Sequence, residues 1–293
     1  MHASGHETLG LQKHAVPWIA SFVSLTNSTS YLTSTSSRKF AEVEGRAETV
    51  RRRLGLADEP IPEIAGVLER AGLLVVVEPF GTNGPDGIYI RRERFAAVLL
   101  NGAKPLTRLR FAGAHELGHH EYRDFQAHVD VDVEKPTRAL FERRANAFAA
   151  AFLMPKATVG KRLMASGGPD GVTASDALEM AQEFVVSYPT MVRRLNDLSL
   201  LRRGARQRDE LLGDQPSLLA DSFRETGAIR RQLPPKFTSA AIQAYGSYEI
   251  NLARLAELLK RPESSLRSQL AAGGYLHPED HRSRGRTQAA AGT

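Results

Sequence analysis

"RFAGAHELGHHEYRDF", residues 110–125, decides how this chain is read. It contains His115-Glu116-Leu117-Gly118-His119, and the run from Arg108 to about Tyr122 has no internal proline and is rich in Ala and Leu, so a helix is expected. On a helix, positions i and i+4 share a face, which lets His115 and His119 point two imidazoles at one metal ion. Glu116 follows His115 by about 100° of helical rotation, close enough to reach a water at that ion without being a ligand. Zn²⁺ lowers the pKa of such a water toward ~7, and a carboxylate can take its proton and later pass it to a leaving amine. The pattern alone fits an ordinary helix with two surface histidines equally well.

A third ligand separates the two readings, because catalytic zinc takes three protein ligands and keeps a position open. The extended pattern HExxHxxGxxH would need Gly at 122 and His at 125, where the chain has Tyr122 and Phe125. The third ligand is therefore expected from a later helix. "ALFERRANAFAAAFLMP", residues 139–155, begins after Pro136 and stops at Pro155, and it places Glu142, Ala145, Ala149, Phe152 and Leu153 on one face. Its alanines would let it press on the motif helix and bring Glu142 to the metal. Asp124, His128, Asp130 and Asp132 compete from the polar connection, and Glu134 precedes Pro136. Glu142 is preferred because a helix presents a rigid ligand. His120 points away from the face of His115 and His119 and is read as a supporting or surface residue.

Upstream, "FAEVEGRAETVRRRL", residues 40–54, has a helical pattern that stops at Gly55. A second helix carries Ile64, Val67 and Leu68, with Pro62 at its start and Gly72 at its end. "LLVVVEPF" (73–80) reads as a buried strand, "FGTNGPDG" as a loop, and "IYIRR" and "FAAVLLN" as a hairpin turning at Glu93-Arg94. Together they predict a small antiparallel sheet just before the motif helix. Downstream, residues 177–195 have the rhythm of a helix-turn-helix with Ala181, Phe184, Val186 and Leu195 as core, although its turn wants positive φ and holds Val185. Residues 237–270 predict three short helices, which could pack as a subdomain, dock a substrate or touch DNA.

Bulk properties narrow the function. The 293 residues leave room for a catalytic core and appended helices, and the 42% hydrophobic and 25% charged balance excludes wholesale disorder. No apolar run approaches the roughly 18 residues that cross a bilayer. "AVPWIASFVSL" (15–25) lacks a basic leader and a cleavage site, so cytoplasmic residence without a membrane is expected. Zero cysteines exclude thiol nucleophiles and Cys-based zinc sites, leaving His, Asp and Glu as ligands. Of the net charge of +6, +5 lies from residue 201 onward, which admits DNA as a partner but suits a solvated surface better. The domain reading is a poorly ordered segment over 1–39, a peptidase-like domain over 40–201 with its helical pair at about 173–201, a helical subdomain over 202–276, and a disordered tail over 277–293.

The residues 108–120 "RLRFAGAHELGHH", 142–155 "ERRANAFAAAFLMP" and 181–201 "AQEFVVSYPTMVRRLNDLSLL" resemble the ImmA/IrrE regulatory metallopeptidases, and the strand region upstream extends the likeness over roughly 46–201. The combination of HELGH with ExxAN-FAA-LMP at this separation carries it. The resemblance implies an α+β, zincin-like fold of the gluzincin kind with a mostly helical C-terminal region, His115, His119 and Glu142 as ligands of one Zn²⁺ (or Mn²⁺), and Glu116 as catalytic base. It also implies an endopeptidase whose substrate is a helix-turn-helix transcriptional repressor of phage, mobile-element or stress-response genes. The strand "AAVLLN" is then expected to hold the substrate by strand addition, and Tyr122 or Tyr188 to stabilise the oxyanion. Two departures from many relatives are expected: the first 40 residues read as too short and irregular for a complete N-terminal DNA-binding domain, and the C-terminal part does not resemble a sensory domain. The rival reading is a non-catalytic regulator or antitoxin that sequesters a protein or DNA partner, against which the intact Glu116 argues.

Overall fold

The apolar periodicities resolve into an α+β fold in a computed structural model that describes residues 37–61, 63–124, 135–166, 171–213 and 233–282. Helices α1 (Ser37–Arg53) and α2 (Ile64–Arg70) precede strands β1 (Leu74–Glu78), β2 (Gly87–Arg91) and β3 (Ala96–Asn101). The motif helix α3 (Leu106–Tyr122) follows, then α4 (Lys135–Leu153), α5 (Lys156–Ser166), α6 (Ala174–Glu183), α7 (Tyr188–Asp197) and α8 (Ala205–Gly213). Three further helices, α9 (Pro235–Gly246), α10 (Leu252–Leu259) and α11 (Glu263–Gly273), lead to a 3-10 turn at Pro278–Arg282. The expected N-terminal segment over 1–36, Pro62 and the tail over 283–293 lie outside the described residues.

The local signals act as their chemistry requires. Gly55 ends α1 at φ 66, where its backbone and that of Leu56 donate to Arg52 and Arg51 carbonyls. Glu63 caps α2, its carboxylate accepting from the backbone of Ala65 and Gly66, and a Thr173–Asp176 capping box starts α6. The hairpin turns at Glu93-Arg94 as expected, with the Arg92 backbone donating to the Phe95 carbonyl at 2.8 Å.

The sheet differs from the expected antiparallel one. Its order is β1-β3-β2, with β1 parallel to β3 and β2 antiparallel to it, so it is mixed. The eight residues between β1 and β2 are long enough to span two strand spacings, roughly 10 Å, and β3 inserts into the gap. Asn101, fully buried at the end of β3, holds that loop: its amide donates to the carbonyls of Gly81 (2.8 Å) and Pro85 (3.1 Å), and its oxygen accepts from the Phe80 and Ala103 backbones. Asp86 then ties the loop to Lys104 (3.2 Å) and to Arg108 on α3 (2.6 Å).

One apolar core runs from Val43 to Leu211 and includes Leu68, Leu100, Leu117, Phe148, Phe152, Phe184 and Leu195. Helix α3 contacts α2, α4, β2 and β3, so the motif helix is the central element of this core. The helix pair α6–α7 packs into the same core through Ala181, Phe184, Val186 and Leu195. Val185 adopts the left-handed conformation (φ 50) that a β-branched residue disfavours. Buried Arg110 of α3 holds this turn, donating to the carbonyls of Val185 (3.2 Å), Phe184 (3.4 Å) and Ile61 (2.6 Å). The C-terminal helices enclose a second, smaller core built on Tyr245, Leu252, Leu255, Leu259 and Leu266. Packing there extends past residue 276, where the tail was expected to begin, because His277 stacks between Tyr245 and Tyr248 at 3.9 and 3.8 Å.

Arg194 of α7 is almost wholly buried, donating to the Met154 carbonyl at 3.0 Å and pairing with Glu44 of α1. Removing one partner leaves the other charge buried and unpaired. Glu44→Ala is therefore expected to lower the unfolding free energy by about 3–5 kcal/mol in a urea titration, whereas a change below about 1 kcal/mol would show that water reaches Arg194.

Candidate metal centre

Helix α3 sets His115 and His119 one turn apart with their Nε2 atoms 3.0 Å from each other. Helix α4 brings Glu142 to the same point, Oε2 lying 3.2 Å from His115 Nε2 and Oε1 3.7 Å from His119 Nε2. One ligand atom from each of the three falls within 4.8 Å of the others. Close approach of the two helices makes this possible. A Cβ on Gly118 would stand 3.1 Å from Ala145 Cα and 3.2 Å from the Phe148 ring, tighter than a side chain tolerates.

The outer nitrogens of both histidines are engaged. His115 Nδ1 lies 2.8 Å from Asn146 Oδ1, and His119 Nδ1 lies 3.0 Å from Asp124 Oδ2. An oxygen acceptor at each Nδ1 keeps the proton there and turns the Nε2 lone pairs inward. Two imidazole lone pairs and a carboxylate then converge, a mutually repulsive set that a cation between them stabilises, and the N, N, O composition suits zinc. The residues therefore fit a metal ion. Electrostatics agree: burial pulls the His119 pKa down, but hydrogen bonds to Asp124 and Glu142 and the charge of Glu116 prevail and raise it to about 9. Burial pushes Glu142 up, yet its hydrogen bonds to His115 and His119 hold it well below the usual carboxylate range.

Behind the histidines a further layer fixes their geometry. The Asp124 side chain is 1% exposed and takes a second hydrogen bond from Arg144, whose guanidinium lies 4.2 Å from the Tyr122 ring centroid. Asp124, a candidate third ligand by sequence, turns to the outer nitrogen of His119 instead. Asn146, Arg144 and this role of Asp124 escaped sequence reasoning. A signal existed for Asn146, the amide in an alanine-rich run at i+4 from Glu142 and so on the same face of α4. His128, Asp130, Asp132 and Glu134 lie outside the described residues.

Glu116 is buried beside the three ligands, 7% exposed. Burial raises its pKa, Glu142 and Asp86 add to the rise, and the two histidines oppose it. Gly87 of β2 makes the space, since a Cβ there would meet Glu116 Oε1 at 2.9 Å; no sequence signal marked that glycine. His120 turns to β2, its Nδ1 3.0 Å from the Tyr89 hydroxyl. The two expected oxyanion donors are not at the centre. Tyr188 is 3% exposed and its hydroxyl donates to the Leu211 carbonyl at 3.1 Å, while the Tyr122 ring packs against Phe148 and Arg144. Both aromatic bodies are used in packing.

Two substitutions test the centre by competition with a chromophoric chelator. Asn146→Ala frees the His115 proton to move to Nε2 and is expected to weaken zinc binding by about 10–100-fold. Glu142→Ala is expected to abolish stoichiometric binding, and full occupancy in that variant would remove Glu142 from the ligand set.

A search of curated proteins finds no match to this chain. No helix among the described residues is long and apolar enough to cross a membrane. Residues 68–196, from the end of α2 through the sheet and both ligand-bearing helices into α7, match the model of the Peptidase_M78 family, the IrrE N-terminal-like domain.

Proposed function

We propose that the protein is a zinc-dependent endopeptidase that cleaves a helix-turn-helix transcriptional repressor and so releases phage, mobile-element or stress-response genes. The observation that carries the hydrolytic part is the convergence of His115, His119 and Glu142 with a buried Glu116 beside them. His115 Nε2, His119 Nε2 and a Glu142 carboxylate oxygen would hold the ion. When bound, the ion supplies Lewis acidity that activates water and polarises a carbonyl. Glu116 takes the proton of the attacking water as its oxygen bonds to the scissile carbonyl carbon. The same carboxyl then delivers that proton to the amine as the C–N bond breaks. A raised pKa suits both halves of that exchange, bringing the carboxyl closer to the operating pH. The repressor as substrate follows from the family alone, as does the regulatory role.

The substrate strand is expected at β2 and not at β3. β3 is the central strand and both its edges are paired, so "AAVLLN" cannot accept an added strand. β2 is an edge strand and Gly87 abuts Glu116. Hydrogen bonds from Arg92 to Phe95 and from Asn101 to Asp86 set the ladder phase, which turns the backbone N–H and C=O groups of Gly87, Tyr89 and Arg91 outward. An extended peptide pairing there would lie along the Glu116 side of the sheet.

The first experiment is co-expression with the helix-turn-helix repressor encoded nearest the gene, comparing wild type with Glu116→Gln on a gel. Cleavage by wild type, with a Glu116→Gln protein that keeps its metal and loses about 100-fold or more of the rate, supports the endopeptidase. An intact repressor that co-purifies with both forms supports the sequestering regulator. A second prediction concerns the strand. Tyr89→Pro removes one outward N–H and is expected to lower kcat/KM about five- to tenfold, while Tyr89→Phe, which keeps the N–H, stays near wild type. Equal losses in both variants would place the substrate elsewhere.

A further inference from the structure

Beyond the C-terminal end of α3, four arginines from two elements and a connecting turn meet around one cavity. Arg46 and Arg53 of α1, Arg91 of β2 and Arg123 after α3 line a space of about 440 Å³ together with Glu121 and Tyr122. Repulsion should spread four guanidinium groups into solvent unless negative charge holds them. Glu121 supplies one carboxylate, paired with Arg53 (Nη1 to Oε2, 3.3 Å), and its backbone carbonyl accepts from Arg46 at 3.4 Å. The end of the α3 dipole adds about half a negative charge. Arg91 and Arg123 have no carboxylate partner among the described residues, so positive charge remains in excess.

The Tyr122 ring forms part of the cavity wall, while its hydroxyl is buried behind that wall. The volume lies in the range of small-ligand sites, roughly 300–1,000 Å³. Guanidinium forks match phosphate oxygens in pairs, a geometry that a lone ammonium does not offer.

We propose that this cavity is a binding site for a small molecule bearing phosphate groups, held by Arg46, Arg91 and Arg123. The site is distinct from the metal ligands, but Tyr122 lies on the Arg144 that holds Asp124, and His120 lies between the cavity and Tyr89 of the edge strand. Its occupant would therefore bear on the groups that orient His119 and on the strand beside Glu116.

Calorimetric titration with inorganic pyrophosphate tests the assignment, run on the full chain in zinc-loaded and chelator-treated forms. Saturable one-to-one binding is expected in both forms, weakened tenfold or more by Arg91→Ala combined with Arg123→Ala, and separately by Arg46→Ala. Arg202→Ala with Arg203→Ala, remote from the cavity, should leave it unchanged. No saturable binding, binding only in the zinc-loaded form, or equal loss in the Arg202/Arg203 control each overturns the proposal. A nucleoside diphosphate and an acidic peptide serve as competitors. Displacement by the nucleotide at lower concentration than by the peptide supports a phosphorylated small molecule, and the reverse order overturns it in favour of a peptide carboxylate site.

Discussion

The close packing of α3 on α4 is the constraint from which the rest of the site follows. Two helices surfaced with ordinary side chains keep their axes about 8–10 Å apart. Gly118, set against the backbone of Ala145, lets these two helices approach closely, so that a carboxylate from one reaches two imidazoles on the other. The stacked rings of Phe148 and Phe152 continue the same face of α4 into the core, 5.6 Å apart, so the contact is held along its length. Dispersion and apolar burial, rather than charge, therefore bring Glu142 into position.

Electrostatics explains what that packing is for. A core helix carrying Arg110, Glu116 and His119 would be unstable if these groups were bare, because each loses its hydration on burial. Arg110 recovers it from three backbone carbonyls, and His119 from Asp124. The inward-facing atoms of His115, His119 and Glu142 are the exception: three electron-pair donors share one point. Their opposite shifts, His119 upward and Glu142 downward, are the response of a cluster that favours a positive charge in its midst. A divalent cation meets that demand more fully than a proton does.

Around this centre the sheet and the helix ends divide the surface. The glycine of β2 gives Glu116 its space, and among the described residues β2 is the edge of the sheet beside it. At the far end of α3 the arginines of α1, β2 and the turn after α3 line a cavity whose wall includes His120, the partner of Tyr89, and Tyr122, which packs on Arg144. The same helix thus connects a candidate metal centre, the edge strand β2 and a cationic cavity.

Much of this was legible from residue order. Helical periodicity and the i, i+4 histidines are short-range properties of the backbone, so α3, its ligand pair and the neighbouring Glu116 could be read directly, and Glu142 could be chosen because an alanine stripe must face something close. The strands were legible too, since β-branched runs bounded by Gly and Pro depend on local conformation. The pairing of those strands was not: β1 beside β3 in parallel depends on a loop crossing that has no local signature, and it moved the free edge from β3 to β2. Roles that need long-range contact stayed hidden for the same reason. Asp124 is five residues from His119 but becomes its partner only because the turn after α3 folds back, with Arg144 from another helix fixing it. Tyr188 and Tyr122 offer hydroxyls in the sequence, and tertiary packing consumed their rings. The sequence by itself determined the helices, the strands and the chemistry of three candidate ligands, because these follow from local geometry and residue type; only the tertiary structure decided strand order, the partners of each imidazole and the gathering of four distant arginines, because each depends on which surfaces bury one another.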